Sequence, residues 1–173
     1  ASTRGGSAFR ARPARGATQG AIREVLKQAE AAEDARDYKK AFPLYLDAAK
    51  RGNAIGQFNV GYFYRKGWAV AEDPAEAAAW YRKAAEQGHP TTQNNLGFLY
   101  DEGIGVKRDP AQARIWCGKA AEQGNASAQA NLGWMYARGK GGAKDADRAR
   151  FWFKKAADQG NKNGKDGLAA LGG

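Results

Sequence analysis

The side chains best suited to acid–base or nucleophilic chemistry in this chain are one histidine, His89, and one cysteine, Cys117. A catalytic imidazole needs a neighbour that fixes its tautomer, and a thiol nucleophile needs a base and an orienting group; no such partner stands at a recognisable spacing from either residue. His89 occupies a place taken elsewhere by Asn53, Asn125 and Asn161, and so reads as a turn residue. Cys117 stands in series with Tyr45, Tyr81 and Phe153 and reads as a small helix residue beside Gly118. Glu86, Glu122 and Asp158 recur at one fixed interval, which offers no converging carboxylate pair. Gly103-Ile104-Gly105 lacks the Gly-Lys-Ser/Thr ending that cradles phosphate and metal, so these are turn glycines. A single cysteine also excludes an internal disulfide and any cysteine-based zinc cluster. No active site, cofactor or metal centre emerges, and the chain is expected not to be an enzyme.

Two features point instead to partners. The first is charge: 28 Lys and Arg against 18 Asp and Glu leave a net +10, and residues 1–23 hold five arginines and no acid. Arg4, Arg10, Arg12 and Arg15, with Phe9 among Gly, Ser and Ala, form a basic tail over 1–19 that cannot offset its ordering entropy by burial. Guanidinium forks suit phosphate and carboxylate alike, so this tail fits an acidic protein surface or RNA. Its composition, rich in Arg, Ala and Ser and free of acids, resembles organellar targeting sequences, so a processed mitochondrial precursor is expected, with a bacterial periplasmic or cytoplasmic protein as the alternative. The second feature is Trp68, in a loop where the corresponding residues are Ile104 and Lys140. It is a candidate exposed anchor for a partner, with local packing as the competing role.

The elements that carry these residues follow from a period of 36. Ala-Ala pairs begin at 48, 84, 120 and 156, and Gly52, Gly88, Gly124 and Gly160 keep the same step. So do Gly61, Gly97 and Gly133; Tyr64, Tyr100 and Tyr136; Gly67, Gly103 and Gly139; Asp73, Asp109 and Asp145; and Trp80, Trp116 and Trp152. A fixed period of this length is the signature of stacked supersecondary units. Ala77, Trp80, Tyr81, Ala84 and Ala85 make one apolar helical face, ended by Gly88, and this is helix A. Leu96, Leu99 and Tyr100 place a second helix, B, that ends near Gly103. Asp73-Pro74 and Asp109-Pro110 read as an N-cap followed by proline at the first helical position. The tryptophans keep register with the small residues and are expected in the core, while Pro43 is expected to kink or delay the first helix A.

The run A-x-x-W-Y-R-K-A-A-E-Q-G followed by Q-N-N-L-G-F-L-Y-D-E-G-I-G-V-K-R-D-P, over 77–110, closely resembles the Sel-1-like repeat, a relative of the tetratricopeptide repeat. That resemblance implies an all-α fold, a right-handed superhelix of helical hairpins, acting as an interaction scaffold or adaptor in larger complexes. Cysteine-rich members carry a disulfide in each repeat; this chain has only Cys117, so that branch and its penicillin-related activity are not implied.

The expected organisation is a basic tail at 1–19 and a repeat domain at 20–173: a half-repeat cap at 20–35, repeats near 37–73, 74–109 and 110–145, and a partial unit at 146–173 in which Lys165 replaces the glutamine of Gln57, Gln93 and Gln129. The expected function is non-enzymatic assembly of protein subunits. Its rival is contact with RNA in a ribonucleoprotein or organellar ribosome through the tail.

Overall fold

The computed structural model describes residues 15–172. Among them are nine α-helices and no strand: α1 (Arg15–Asp34), α2 (Tyr38–Lys50), α3 (Ala54–Lys66), α4 (Pro74–Glu86), α5 (Pro90–Glu102), α6 (Pro110–Glu122), α7 (Ala126–Arg138), α8 (Ala146–Asp158) and α9 (Lys162–Ala170). Helices α2, α4, α6 and α8 are the A helices of successive units, and α3, α5, α7 and α9 are the B helices. Each helix packs on its sequence neighbours, so the chain is a one-dimensional stack with its core threaded between consecutive helices.

Helix boundaries follow the predicted chemistry. Asp73 and Asp109 each accept two backbone N–H bonds at the starts of α4 and α6, where Pro74 and Pro110 take the first position, which needs no donor. Asn53, Asn125 and Asn161 cap α3, α7 and α9 by accepting from Gly56, Ala128 and Gly164. Gly67, Gly103 and Gly139 close the B helices in the left-handed conformation at φ of 65°, 73° and 69°.

Three expectations change. Helix α1 begins at Arg15, so it takes up 15–19, a stretch assigned to the tail for its lack of large apolar residues. Pro43 does not delay the first helix A: α2 runs unbroken from Tyr38, and Pro43 lies on its exposed side. The tryptophans are not the core of the A helices. Trp80, Trp116 and Trp152 are half-buried, with Lys83, Lys119 and Lys155 over their rings, while the next residue in each case, Tyr81, Cys117 or Phe153, is buried. One residue is about 100° of helix rotation, enough to move the deepest position from one neighbour to the other.

Two side-chain registers fasten unit to unit. Gly61, Gly97 and Gly133 on the B helices lie against Tyr81, Cys117 and Phe153 of the next A helix; a Cβ at Gly133 would come within 2.5 Å of two Phe153 ring carbons. The second register is a chain of buried amides. Gln93 donates to the Ala85 carbonyl at 3.0 Å and accepts from Gln123 at 2.7 Å. Gln57 with Gln87, and Gln129 with Gln159, repeat the pairing at 2.7 and 2.8 Å. Each buried glutamine thus finds partners in the helices before and after it, which avoids the cost of burying an unpaired amide. At the exposed Lys165 this amide register is absent and the last B helix is short.

Candidate functional site: an aromatic column and a cavity on the B helices

The 36-residue step also places a set of aromatics on successive B helices: Tyr62 on α3, Phe98 on α5 and Trp134 on α7. Tyr62 and Trp134 are half-buried, and Phe98 is 44% exposed. Cations flank both ends, with Arg65 and Lys66 beside the Tyr62 ring and Arg138 over Trp134 at 4.6 Å. Trp68 adjoins this column. Its indole stacks on Tyr38 at 4.3 Å and meets Tyr62 edge-on at 5.4 Å, and it packs against the buried core of α1, α2 and α3. Local packing therefore takes most of the Trp68 surface.

Between Phe98 and Trp134 the surface opens into a cavity of about 260 Å³. Gly97 and Cys117 are buried at its base, Phe98, Trp134 and Met135 supply apolar wall, and Asp101 and Lys140 form an ion pair along one side. Neighbouring B helices are joined here by two cross-unit contacts, Lys140 to Asp101 and the Asn131 amide donating to Asn94 at 3.0 Å. One oxygen of Asp101, Oδ1, is buried and has no hydrogen-bond partner. Burial, and secondarily the Asp101 charge, pushes the Cys117 thiol up to about 12, so it stays protonated at neutral pH and is a poor nucleophile.

His89 caps α5. Its Nδ1 accepts from the Thr92 backbone N–H and pairs with the Thr92 hydroxyl at 2.6 Å, while its ring packs near Phe58. Burial lowers the imidazole pKa, which keeps Nδ1 available as an acceptor. Arg4, Phe9, Arg10 and Arg12 lie outside the described residues, and Arg15 is the first residue of α1. The column at Tyr62, Phe98 and Trp134 escaped the sequence reading because it conserves aromatic character and not residue type along the period. Among the described residues no group of three or more His, Cys, Asp or Glu is placed to hold a metal ion, and no helix is long and apolar enough to cross a membrane.

The family model of the Sel1 repeat matches residues 34–53, 54–89, 90–125 and 126–161. The chain belongs to the Sel1 repeat family. Solved structures agree with the helical-hairpin solenoid. The antigen c5321 of uropathogenic Escherichia coli, a protective antigen with an SLR fold, is 38% identical over 90% of this chain, with a TM-score of 0.84. A Sel1 repeat protein from Oxalobacter formigenes is 39% identical over 76% of it, with a TM-score of 0.73. Cysteine rich protein B of Helicobacter pylori shares the fold at 24% identity and a TM-score of 0.59, the alignment covering 75% of this chain and 93% of that one. This Sel1 repeat chain spans 34% of the first of these structures and 54% of the second. No curated protein matches it. The three relatives are bacterial, in line with the bacterial alternative, and they give the mitochondrial expectation no support.

Proposed function

We propose that this Sel1 repeat chain is a non-enzymatic adaptor that holds a partner protein on the outer side of its B helices, within a larger assembly. The observation that carries this reading is the aromatic column Tyr62, Phe98 and Trp134, half-open to solvent in three successive units and continued by Trp68. Aromatic residues in partly desolvated positions with flanking cations are the composition of binding hot spots. Sel1-like repeats generally mediate protein–protein contacts, which supports the same class of function. Arg4, Phe9, Arg10, Arg12 and Arg15 add, in this proposal, contacts to an acidic surface of the same assembly, and removing residues 1–14 would leave α1 whole.

The test is a comparison of two pairs of alanine variants in native cells. Phe98→Ala with Trp134→Ala removes two of the three column rings, while Ile115→Ala with Phe151→Ala removes the exposed apolar residues of the A helices, 50% and 52% accessible. The first pair should lose co-purifying subunits, with helical circular dichroism unchanged, and the second pair should retain them. Retention by the first pair and loss by the second would move the docking face to the A helices.

A further inference from the structure

The cavity beside Phe98 has a specific origin. Along the A helices the buried register reads Tyr45, Tyr81, Cys117, Phe153, so one ring is missing from a series of four. Around Tyr81 lie Phe58, stacked on it at 5.7 Å, and Tyr62, Leu99 and Ile104, with the Arg65 charge near its hydroxyl. Thirty-six residues on, those positions are Asn94, Phe98, Met135, Lys140 and Asp101, and the last four line the cavity. Gly97, which faces Cys117 as Gly61 faces Tyr81, lines it too. The space is therefore the volume of an aromatic side chain that this unit does not supply. At about 260 Å³ it exceeds the roughly 150 Å³ that suffices to bind benzene in an apolar protein cavity.

The chemistry of its wall narrows the occupant. In the series, the position of Arg65 near the Tyr81 hydroxyl becomes Asp101, whose Oδ1 is buried without a donor although Oδ2 is held by Lys140. Asp101 nevertheless lines the cavity, and its carboxylate, bonded to Lys140 alone, keeps acceptor capacity that an O–H on a bound ring would use. Phenylalanine would fill the space and leave that acceptor capacity unused; a phenol does both. The cavity lies between two members of the exposed aromatic column, so a chain crossing the B helices passes over its mouth.

We infer that the cavity over Cys117 is a socket for one tyrosine side chain of the partner protein, its ring seated on Gly97 and Cys117 between Phe98 and Trp134 and its hydroxyl donating to the Asp101 carboxylate. This rests on the adaptor reading and names the chemistry of the partner at that face.

The test is a nuclear magnetic resonance titration of the full chain with p-cresol, toluene and a capped Gly-Tyr-Gly peptide. The amides of Gly97 and Cys117 and the Trp134 indole N–H should shift with p-cresol and with the peptide, and p-cresol should bind about tenfold more tightly than toluene, as one hydrogen bond to a charged group predicts. Cys117→Tyr, which supplies the missing ring from within, should raise the melting temperature and abolish both responses. The wild-type titration stands alone if that variant does not fold. No shift at these three groups with any probe overturns the socket. Shifts with p-cresol but none with the peptide overturn its assignment to a partner side chain. Equal binding of p-cresol and toluene overturns the role of Asp101. In each case loss of subunits from Phe98→Ala with Trp134→Ala would leave the adaptor reading standing, so the two failures are distinguishable.

Discussion

Gly118 and Gly133 are both interior helix glycines, yet replacing each by alanine should change stability in opposite directions. In a helix interior, alanine is favoured over glycine by about 1 kcal/mol. At Gly118, on α6, a new Cβ meets nothing within 4 Å, so that gain is realised in full. At Gly133, on α7, the Cβ would lie 2.5 Å from Phe153 ring carbons, and the ring has no room to retreat: Gly167 faces the same ring, where a Cβ would come within 2.4 Å. Phe153 itself is fully buried. Overpacking of a rigid core residue costs about 2–3 kcal/mol, of which about 1 is returned by helix propensity, leaving Gly133→Ala destabilised by about 1–2 kcal/mol. For a chain of this size each kcal/mol moves the melting temperature by about 2–4 °C. Thermal unfolding followed by far-ultraviolet circular dichroism should therefore show Gly118→Ala melting about 2–4 °C higher than the parent and Gly133→Ala about 2–8 °C lower. If Gly133→Ala is stabilised as Gly118→Ala is, seating of a ring on a glycine is not what fixes the spacing of the units.

Other expectations follow from the caps and loops. Because burial lowers the folded-state pKa of His89, the unfolded chain binds the proton more tightly. Stability from this group is full above the unfolded value of about 6.5 and falls as pH drops from there toward the lower folded value. His89→Asn, which restores the residue found at the other three caps, should remove that part of the pH dependence, measured as the difference between parent and variant melting curves from neutral to mildly acidic pH. Ala69 sits at φ 61°, in the register where Gly105 and Gly141 adopt φ of 68° and 75°. Ala69→Gly should relieve left-handed strain and stabilise by up to about 1 kcal/mol in denaturant titration. Gly105→Ala should do the reverse and more severely, since its Cβ would fall on the Pro74 carbonyl.

Much of this architecture was legible in the residues. The Asp-Pro starts, the asparagine caps and the glycine stops each solve a local backbone problem, so the sequence around them determines helix ends directly. Face assignment was harder. Trp80 and Tyr81 both lie near the apolar side of α4, and only packing against Gly61 decides that Tyr81 goes deepest. The start of α1 was hidden by the lack of large apolar residues over 15–19, within a helix whose later turns bury Ile22, Leu26 and Ala29. The cavity was not read from the sequence: Cys117 aligned with three aromatic residues but counted only as a small helix residue. Its meaning needed the three-dimensional fact that this register is buried, because a small residue on an exposed face leaves no space behind. The column of Tyr62, Phe98 and Trp134 keeps the period only as a class of side chain, a signal that a search for identical residues passes over.

The central claim is that this Sel1 repeat chain works as a protein-bound adaptor, and native size tests it most directly. The protein, isolated under mild conditions from its own cells, should migrate in an assembly much larger than a single copy of itself, and the assembly should survive ribonuclease. A free monomer, or a particle that collapses on ribonuclease treatment, would contradict the adaptor account, and the second outcome would favour the RNA-contacting reading of the arginine-rich tail.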